Sequence, residues 1–221
     1  LGKIAWKIKF DSPRSAGKIL EQNDSQITVK AGGEIFQIAV KDGKILKRFA
    51  MKNYNPSAEE KEFVSDGKII SGYGKTLQCH NFSGEVLWEK KFAKQVDSLY
   101  PSEKIVIVSL NPSFDDDEIE KGEKPGLKAE ITALDSSNGN EIWNKAIDGY
   151  LASDKISSSE DICALSETIY TDGKQQSAIK VFDPKNGVEK WQIKIESAIN
   201  GLLVSGKKLI FTTENKINAV Q

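Results

Sequence analysis

Few side chains in this 221-residue sequence have a type and spacing suited to chemistry. The one histidine, His80, follows Cys79, and a thiol beside an imidazole is the raw material of a nucleophile and its base. In an extended strand, adjacent side chains point to opposite faces, so this pair reads as structural. Cys163 stands 84 positions beyond Cys79, and the chain has no Cys-x-x-Cys, so neither a disulfide framework nor a zinc site is expected. The stretch 111–126 gathers Asp115, Asp116, Asp117, Glu118 and Glu120, and calcium takes several carboxylate oxygens from such loops. Their spacing does not alternate as in an EF-hand. The plainer reading is a solvated acidic loop, with a metal site as the lesser candidate. No Gly-x-Ser-x-Gly, Walker sequence or His-Glu-x-x-His occurs, so no catalytic residue is assigned.

The charge balance narrows the partners. With 31 basic and 32 acidic side chains the net charge is -1, which argues against a general cationic surface for nucleic acid or an anionic membrane. The longest apolar run, Ile105 to Leu110, is far too short to span a bilayer. The chain starts at Leu1 without the basic and apolar regions of a signal segment, as a mature or trimmed form would. Asn23-Asp-Ser25 and Asn81-Phe-Ser83 fit the glycosylation pattern and lean toward export; the compartment is otherwise open.

The elements that would carry any site are announced by a repeat. Gly followed four residues later by Trp occurs at Gly2–Trp6, Gly84–Trp88, Gly139–Trp143 and Gly187–Trp191, which accounts for every tryptophan; a fifth copy at Gly43 has Lys47 in the Trp slot. Eight residues after each glycine stand Phe10, Met51, Phe92, Ile147 and Ile195, all apolar. Two residues after it stand Ile4, Ile45, Val86, Glu141 and Glu189, a weaker pattern. A turn glycine leading a strand with one buried face is the repeated unit. Between copies lie further short strand candidates, such as 60–66, 68–74 and 75–82. The spacings are 41, 41, 55 and 48 residues, the 55 enlarged by the insertion at 111–126, and four short strands in about 40–45 residues is the size of a propeller blade. After Gly187 only three more strands fit before Gln221, and Leu1 to Phe10 offers the fourth. The expectation is therefore one all-β domain over 1–221: a five-bladed β-propeller whose N-terminal strand closes the last blade, which leaves no terminal blade interface exposed.

Two copies carry more than Gly and Trp. Ala133-Leu-Asp135-Ser-Ser-Asn-Gly139-Asn-Glu-Ile-Trp143 resembles the Ala-x-Asp-x-x-x-Gly-x-x-x-Trp docking motif of pyrroloquinoline-quinone-type propeller repeats, and Val181-Phe-Asp183-Pro-Lys-Asn-Gly187-Val-Glu-Lys-Trp191 is similar with Val for Ala. The other internal copies are degenerate, with Gln37 and Gln78 at the Ala slot and Ala39 and His80 at the Asp slot. The resemblance implies that each Trp packs on a neighbouring blade while Asp and Gly hold the turn between the outer two strands. It implies a staple for the fold rather than a catalytic signature. Quinone-dependent alcohol dehydrogenases of this family use adjacent cysteines, calcium and a funnel carboxylate, and the adjacent cysteines are absent here. The non-enzymatic branch, with its scaffolds of bacterial outer-membrane assembly, fits better. The expected function is a non-catalytic scaffold without a cofactor, which binds another protein through loops or its axial face. The alternative is a small ligand or carbohydrate in the axial funnel, lined by aromatics such as Tyr73 and Tyr100.

Overall fold

The structure is a computed structural model that describes residues 3–10, 17–51, 61–102, 104–112, 128–148, 151, 155–171 and 174–220. The chain divides into two compact units, Leu1–Lys90 and Lys91–Gln221.

The first unit contains two four-stranded antiparallel sheets, each in sequential strand order. One is β1 (Lys18–Gln22), β2 (Gln26–Ala31), β3 (Glu34–Ala39) and β4 (Ile45–Ala50). The other is β5 (Lys61–Ser65), β6 (Lys68–Tyr73), β7 (Thr76–Asn81) and β8 (Val86–Lys91), whose last residue reaches the unit boundary. Two-residue hairpins join the strands where the sequence supplies left-handed residues. Asp66 and Gly67 have φ of 48° and 67°, the two positive values that match a turn to the twist of its strands.

The sheets of this unit stack face to face. Ile35, Met51 and Ile69 form the buried layer, with Leu20, Phe49, Val64 and Phe82 packed around it, so the layer draws on both sheets. On the other face of the first sheet, Trp6, Ile8 and Phe10 lie against Val29, Ala31, Phe36 and Ile38. The period-two burial of residues 3–10 is that of a strand, and Phe10 meets Phe36 with ring centroids 4.8 Å apart.

The second unit follows the same plan with β9 (Gln95–Ser102), β10 (Ile105–Asn111), β11 (Lys128–Asp135) and β12 (Glu141–Asp148). Next come β13 (Ile156–Ser158), β14 (Cys163–Thr171), β15 (Lys174–Phe182) and β16 (Glu189–Ile195). The chain ends on a sheet of three, β17 (Gly201–Ser205), β18 (Lys208–Thr213) and β19 (Lys216–Val220). One core layer joins Ile107, Ile131 and Ala133 to Leu165 and Phe182; the next joins Ile179 and Val181 to Val204, Leu209 and Phe211. The first strands of successive sheets touch, β1 with β5 in the first unit, and β9 with β13 and β13 with β17 in the second. Their side is therefore the axial side of each unit.

The expected closure is not among the described strand pairings. Among the described residues the last sheet has three strands, and residues 3–10 belong to none of the five sheets. The side chains of that segment are held by the first sheet. Ile217 on β19 is 80% exposed.

Candidate functional site

The glycine-led turns set the outer strand of each sheet. Gly43, Gly84, Gly139 and Gly187 precede β4, β8, β12 and β16 with φ of 72°, 80°, 74° and 70°; Gly2 lies outside the described residues. In the third sheet the Gly139 amide donates to the Asp135 carbonyl at 2.8 Å, and Asp135 Oδ1 accepts from the Ser137 amide at 2.7 Å. Asp183 repeats this with Gly187 at 2.8 Å and the Lys185 amide at 2.9 Å. The bond from the Lys185 amide, helped by Lys190, holds the Asp183 carboxyl below the ordinary carboxylate range.

The indoles then close on the next turn. A Cβ on Gly187 would stand 2.8 Å from the Trp143 ring, and Trp143 Nε1 donates to the Pro184 carbonyl at 2.8 Å. Trp6 repeats the arrangement: a Cβ on Gly43 would stand 2.8 Å from its ring, and its Nε1 donates to the Val40 carbonyl at 2.8 Å. Trp191 packs into the layer around Val204, Leu209 and Phe211, and Trp88 is half-buried on β8.

A bulge recurs just before the Trp slot and was invisible in the sequence. Ile38 pairs with Ile45 but Gln37 with Lys47; Leu134 with Glu141 but Ala133 with Trp143; Phe182 with Glu189 but Val181 with Trp191. The residue passed over in each case reverses the side-chain face between the second and fourth positions after the glycine. That is why the second position is not uniformly apolar. The passed-over Leu46 and Ile142 are 50% and 43% exposed.

The degenerate copies use substitutes one or two residues away. Lys47 has no docking role to match Trp; Phe49, on the same face two residues later, takes it, and a Cβ on Gly84 would meet that ring at 3.2 Å. In the second sheet the turn is one residue shorter than aligned. Asn81, not His80, closes it, with Oδ1 accepting from the Ser83 and Glu85 amides at 2.9 and 3.0 Å. Asn23 likewise accepts from the Ser25 and Gln26 amides at 3.0 Å, so both glycosylation-type asparagines serve their own turns.

The reactive side chains are covered. Cys79, Cys163 and His80 are all fully buried. Burial pushes the Cys79 thiol up to about 11 and the Cys163 thiol up to about 12, against the direction a nucleophile needs. Among the described residues no group of three or more His, Cys, Asp or Glu could hold a metal, and Asp115, Asp116, Asp117, Glu118 and Glu120 lie outside them. Two buried cysteines 84 positions apart do not fit the quinone-and-calcium site of the alcohol dehydrogenases. Tyr100 packs against the core of the second unit and Tyr73 is half-buried where β6 turns into β7.

One buried charge cluster stands out. Glu62 on β5, whose side chain is 1% exposed, accepts from Lys18 Nζ of β1 at 2.8 Å and is ion-paired with Lys30 of β2. It ties the two sheets of the first unit together near their axial strands.

Departures from the repeat mark the remaining candidate surface. The second and third strands of a sheet are joined by two residues in β2–β3, β6–β7 and β18–β19. In the third sheet residues 112–127 intervene between β10 and β11. In the fourth sheet β14 and β15 are nine residues each. Both changes fall at the same connection of successive sheets in the second unit. Asn111 anchors the crossing chain at this end, donating from Nδ2 to the Leu151 carbonyl at 2.6 Å and accepting from the Leu151 amide at 2.9 Å.

Four-stranded antiparallel sheets stacked face to face and stapled by indole-on-glycine contacts define a β-propeller protein with pyrroloquinoline-quinone-like repeats. The chain belongs to the family whose model is described as outer membrane protein assembly factor BamB, which matches residues 1–220. No curated protein sequence matches it. Among solved structures it is similar to the WD40 domain of Neurospora crassa Pan2, at 12% identity and a TM-score of 0.60 over 90% of this chain and 59% of that one. It is also similar to an N-terminal BBS1 fragment crystallised in complex with ARL6, at 10% identity and a TM-score of 0.53 over 88% and 59%. A third likeness is the quinohemoprotein alcohol dehydrogenase of Comamonas testosteroni, at 12% identity and a TM-score of 0.52 over 87% and 39%. The chain thus spans under two thirds of each of these three. Among the described residues no helix is long and apolar enough to cross a membrane.

Proposed function

We propose that this chain is a non-catalytic propeller scaffold that holds a protein partner at the elaborated end of its second unit, with residues 3–10 serving as the fourth strand of the last sheet. The observation that carries the scaffold reading is the placement of the departures: a regular repeat is broken at one connection of two successive sheets, by the 112–127 insertion and the long β14–β15 hairpin. Segments projecting from a rigid sheet stack are where proteins place binding residues. Covered, protonated thiols and a fully buried histidine add to it, since none of them reaches a substrate. The family description as an outer-membrane assembly factor supports both protein binding and a site of action outside the cytoplasm. The dehydrogenase likeness concerns the fold, which fixes no chemistry.

The strand role of residues 3–10 is supported by Trp6, which does to Gly43 what Trp143 does to Gly187. Residues 3–10 thus behave as the outer strand of a sheet preceding the first. The scaffold is tested by replacing residues 113–127 with a short Gly-Ser turn and crosslinking in cells that express the full chain or the shortened one. The full chain is expected to capture a partner that the shortened one loses at unchanged melting temperature. Capture of the same partners by both, or of none by the full chain, overturns the reading.

A further inference from the structure

Two asparagines, Asn23 and Asn81, stand in the Asn-x-Ser pattern, and the fold commits their side chains differently. A sugar is joined to such an asparagine through its amide nitrogen and is a bulky surface group, so an acceptor needs exposure and an uncommitted Nδ2. Asn81 fails on both counts. It is the last residue of β7, paired with Lys68 across the ladder and half-buried. Its Nδ2 donates to Glu85 Oε2 at 3.0 Å.

Asn23 meets both. It opens the three-residue connection between β1 and β2, where residues 21–25 are all exposed. Its turn is held through Oδ1 alone, which accepts from the Ser25 and Gln26 amides at 3.0 Å and from the Ser25 hydroxyl at 2.9 Å. Nδ2 makes no hydrogen bond among the described residues. The Ser25 hydroxyl of the pattern thus already lies on the amide that would react. The connection is tied to the neighbouring β3–β4 turn through backbone, the Val40 amide donating to the Ser25 carbonyl at 2.9 Å, so a sugar on Nδ2 displaces no packed side chain. Glu21, two residues before Asn23, is exposed as well and offers a transferase a carboxylate to hold; the residue at that place before Asn81 is the fully buried Cys79.

We infer that Asn23 is an N-glycosylation site and that Asn81 is not. The inference rests on the proposed site of action outside the cytoplasm. The donor class is a polyprenyl-pyrophosphate-linked oligosaccharide, brought to the chain by a transferase. A bond forms between Nδ2 and the anomeric carbon, and the bond from that carbon to the pyrophosphate oxygen breaks. One Nδ2 proton is released to solvent and the polyprenyl pyrophosphate leaves; nothing is oxidised or reduced.

The test uses the full chain purified from its native cells, which are fractionated in parallel. Peptides spanning Asn23 and Asn81 are compared by mass spectrometry. A sugar increment is expected on Asn23 at an occupancy at least tenfold that on Asn81. It should vanish in Ser25→Ala and persist in Ser25→Thr. Ser25→Ala keeps both backbone amides that bond Asn23 Oδ1, so its circular dichroism should match the parent and separate loss of the sugar from loss of the turn. Bare Asn23 on protein recovered outside the cytoplasm overturns the inference and leaves the proposed location intact. Bare Asn23 on protein found only in the cytoplasm removes both. Equal occupancy at the two asparagines overturns the inference, because the fold then makes no choice between them. An increment that survives in Ser25→Ala belongs to another chemistry and overturns it too.

Discussion

The tightest constraint on any single position is the glycine beneath each indole. At Gly187 two penalties combine: φ of 70°, which an L side chain tolerates at about 1–2 kcal/mol, and a Cβ that would stand 2.8 Å from Trp143. Gly206 has φ of 56° but nothing within 4 Å of a built Cβ. Gly206→Ala should therefore lose only the backbone part, about 1 kcal/mol, whereas Gly187→Ala should lose about 2–4 kcal/mol once overpacking is added. Urea unfolding of the two variants measures the difference, and equal losses would show that the indole does not rest on Gly187. The buried cysteines make a second prediction. Burial pushes their thiols up to about 11 and about 12 in the fold, from about 8.5 when unfolded. The native chain keeps protons that the unfolded chain releases, so their contribution to stability is complete below about pH 8.5 and is lost as pH rises through the folded values. Thiol labelling at pH 8 should be slow until denaturant is added; rapid labelling of the native protein would contradict the burial.

Strands and sheets are joined in the first unit by the carboxylate of Glu62 as well as by apolar packing. Its two lysines differ in exposure, Lys30 at 12% and Lys18 at 54%. Breaking a buried pair leaves an uncompensated charge and costs about 3–5 kcal/mol, whereas an exposed pair contributes about 0–1 kcal/mol. Lys30→Met should thus lower the melting temperature by several degrees and Lys18→Met by little, measured by calorimetry; equal effects would mean that Glu62 is hydrated. In the second unit the third and fourth sheets place Lys145 5.1 Å from the centroid of Phe182, beside Trp143 on its glycine. The outer strand docks through its whole inner face, which is why Phe49 can replace a missing Trp two residues along without changing the plan.

For the molecule as one object, the decisive question is what covers β19. In the third and fourth sheets the residue six before the turn glycine, Ala133 or Val181, is fully buried opposite its Trp. Counted around the chain, the same place opposite Trp6 falls to Ile217, which is 80% exposed while its sheet has three strands. An exposed site away from contacts tolerates substitution within about 0.5 kcal/mol. If residues 3–10 act as the fourth strand, Ile217→Asp should instead cost 2 kcal/mol or more, roughly 4–8 °C for a chain of this length. An unchanged melting temperature would remove the closing strand from the proposal.

Much of this was legible from spacing alone. The strand candidates at 60–66, 68–74 and 75–82 became β5, β6 and β7, and the glycines at Gly43, Gly84, Gly139 and Gly187 all proved left-handed. Such features are local: a turn needs a residue that tolerates positive φ, and a half-buried strand needs apolar residues at a period of two. Spacing could not show the bulge that turns Trp143 opposite Ala133, the shift of docking from Lys47 to Phe49, or the replacement of His80 by Asn81 in its turn. Each of these depends on which strand lies beside which and which sheet lies on top. That is decided by cross-strand register and packing between segments distant in the chain, where one residue of slip reverses every face.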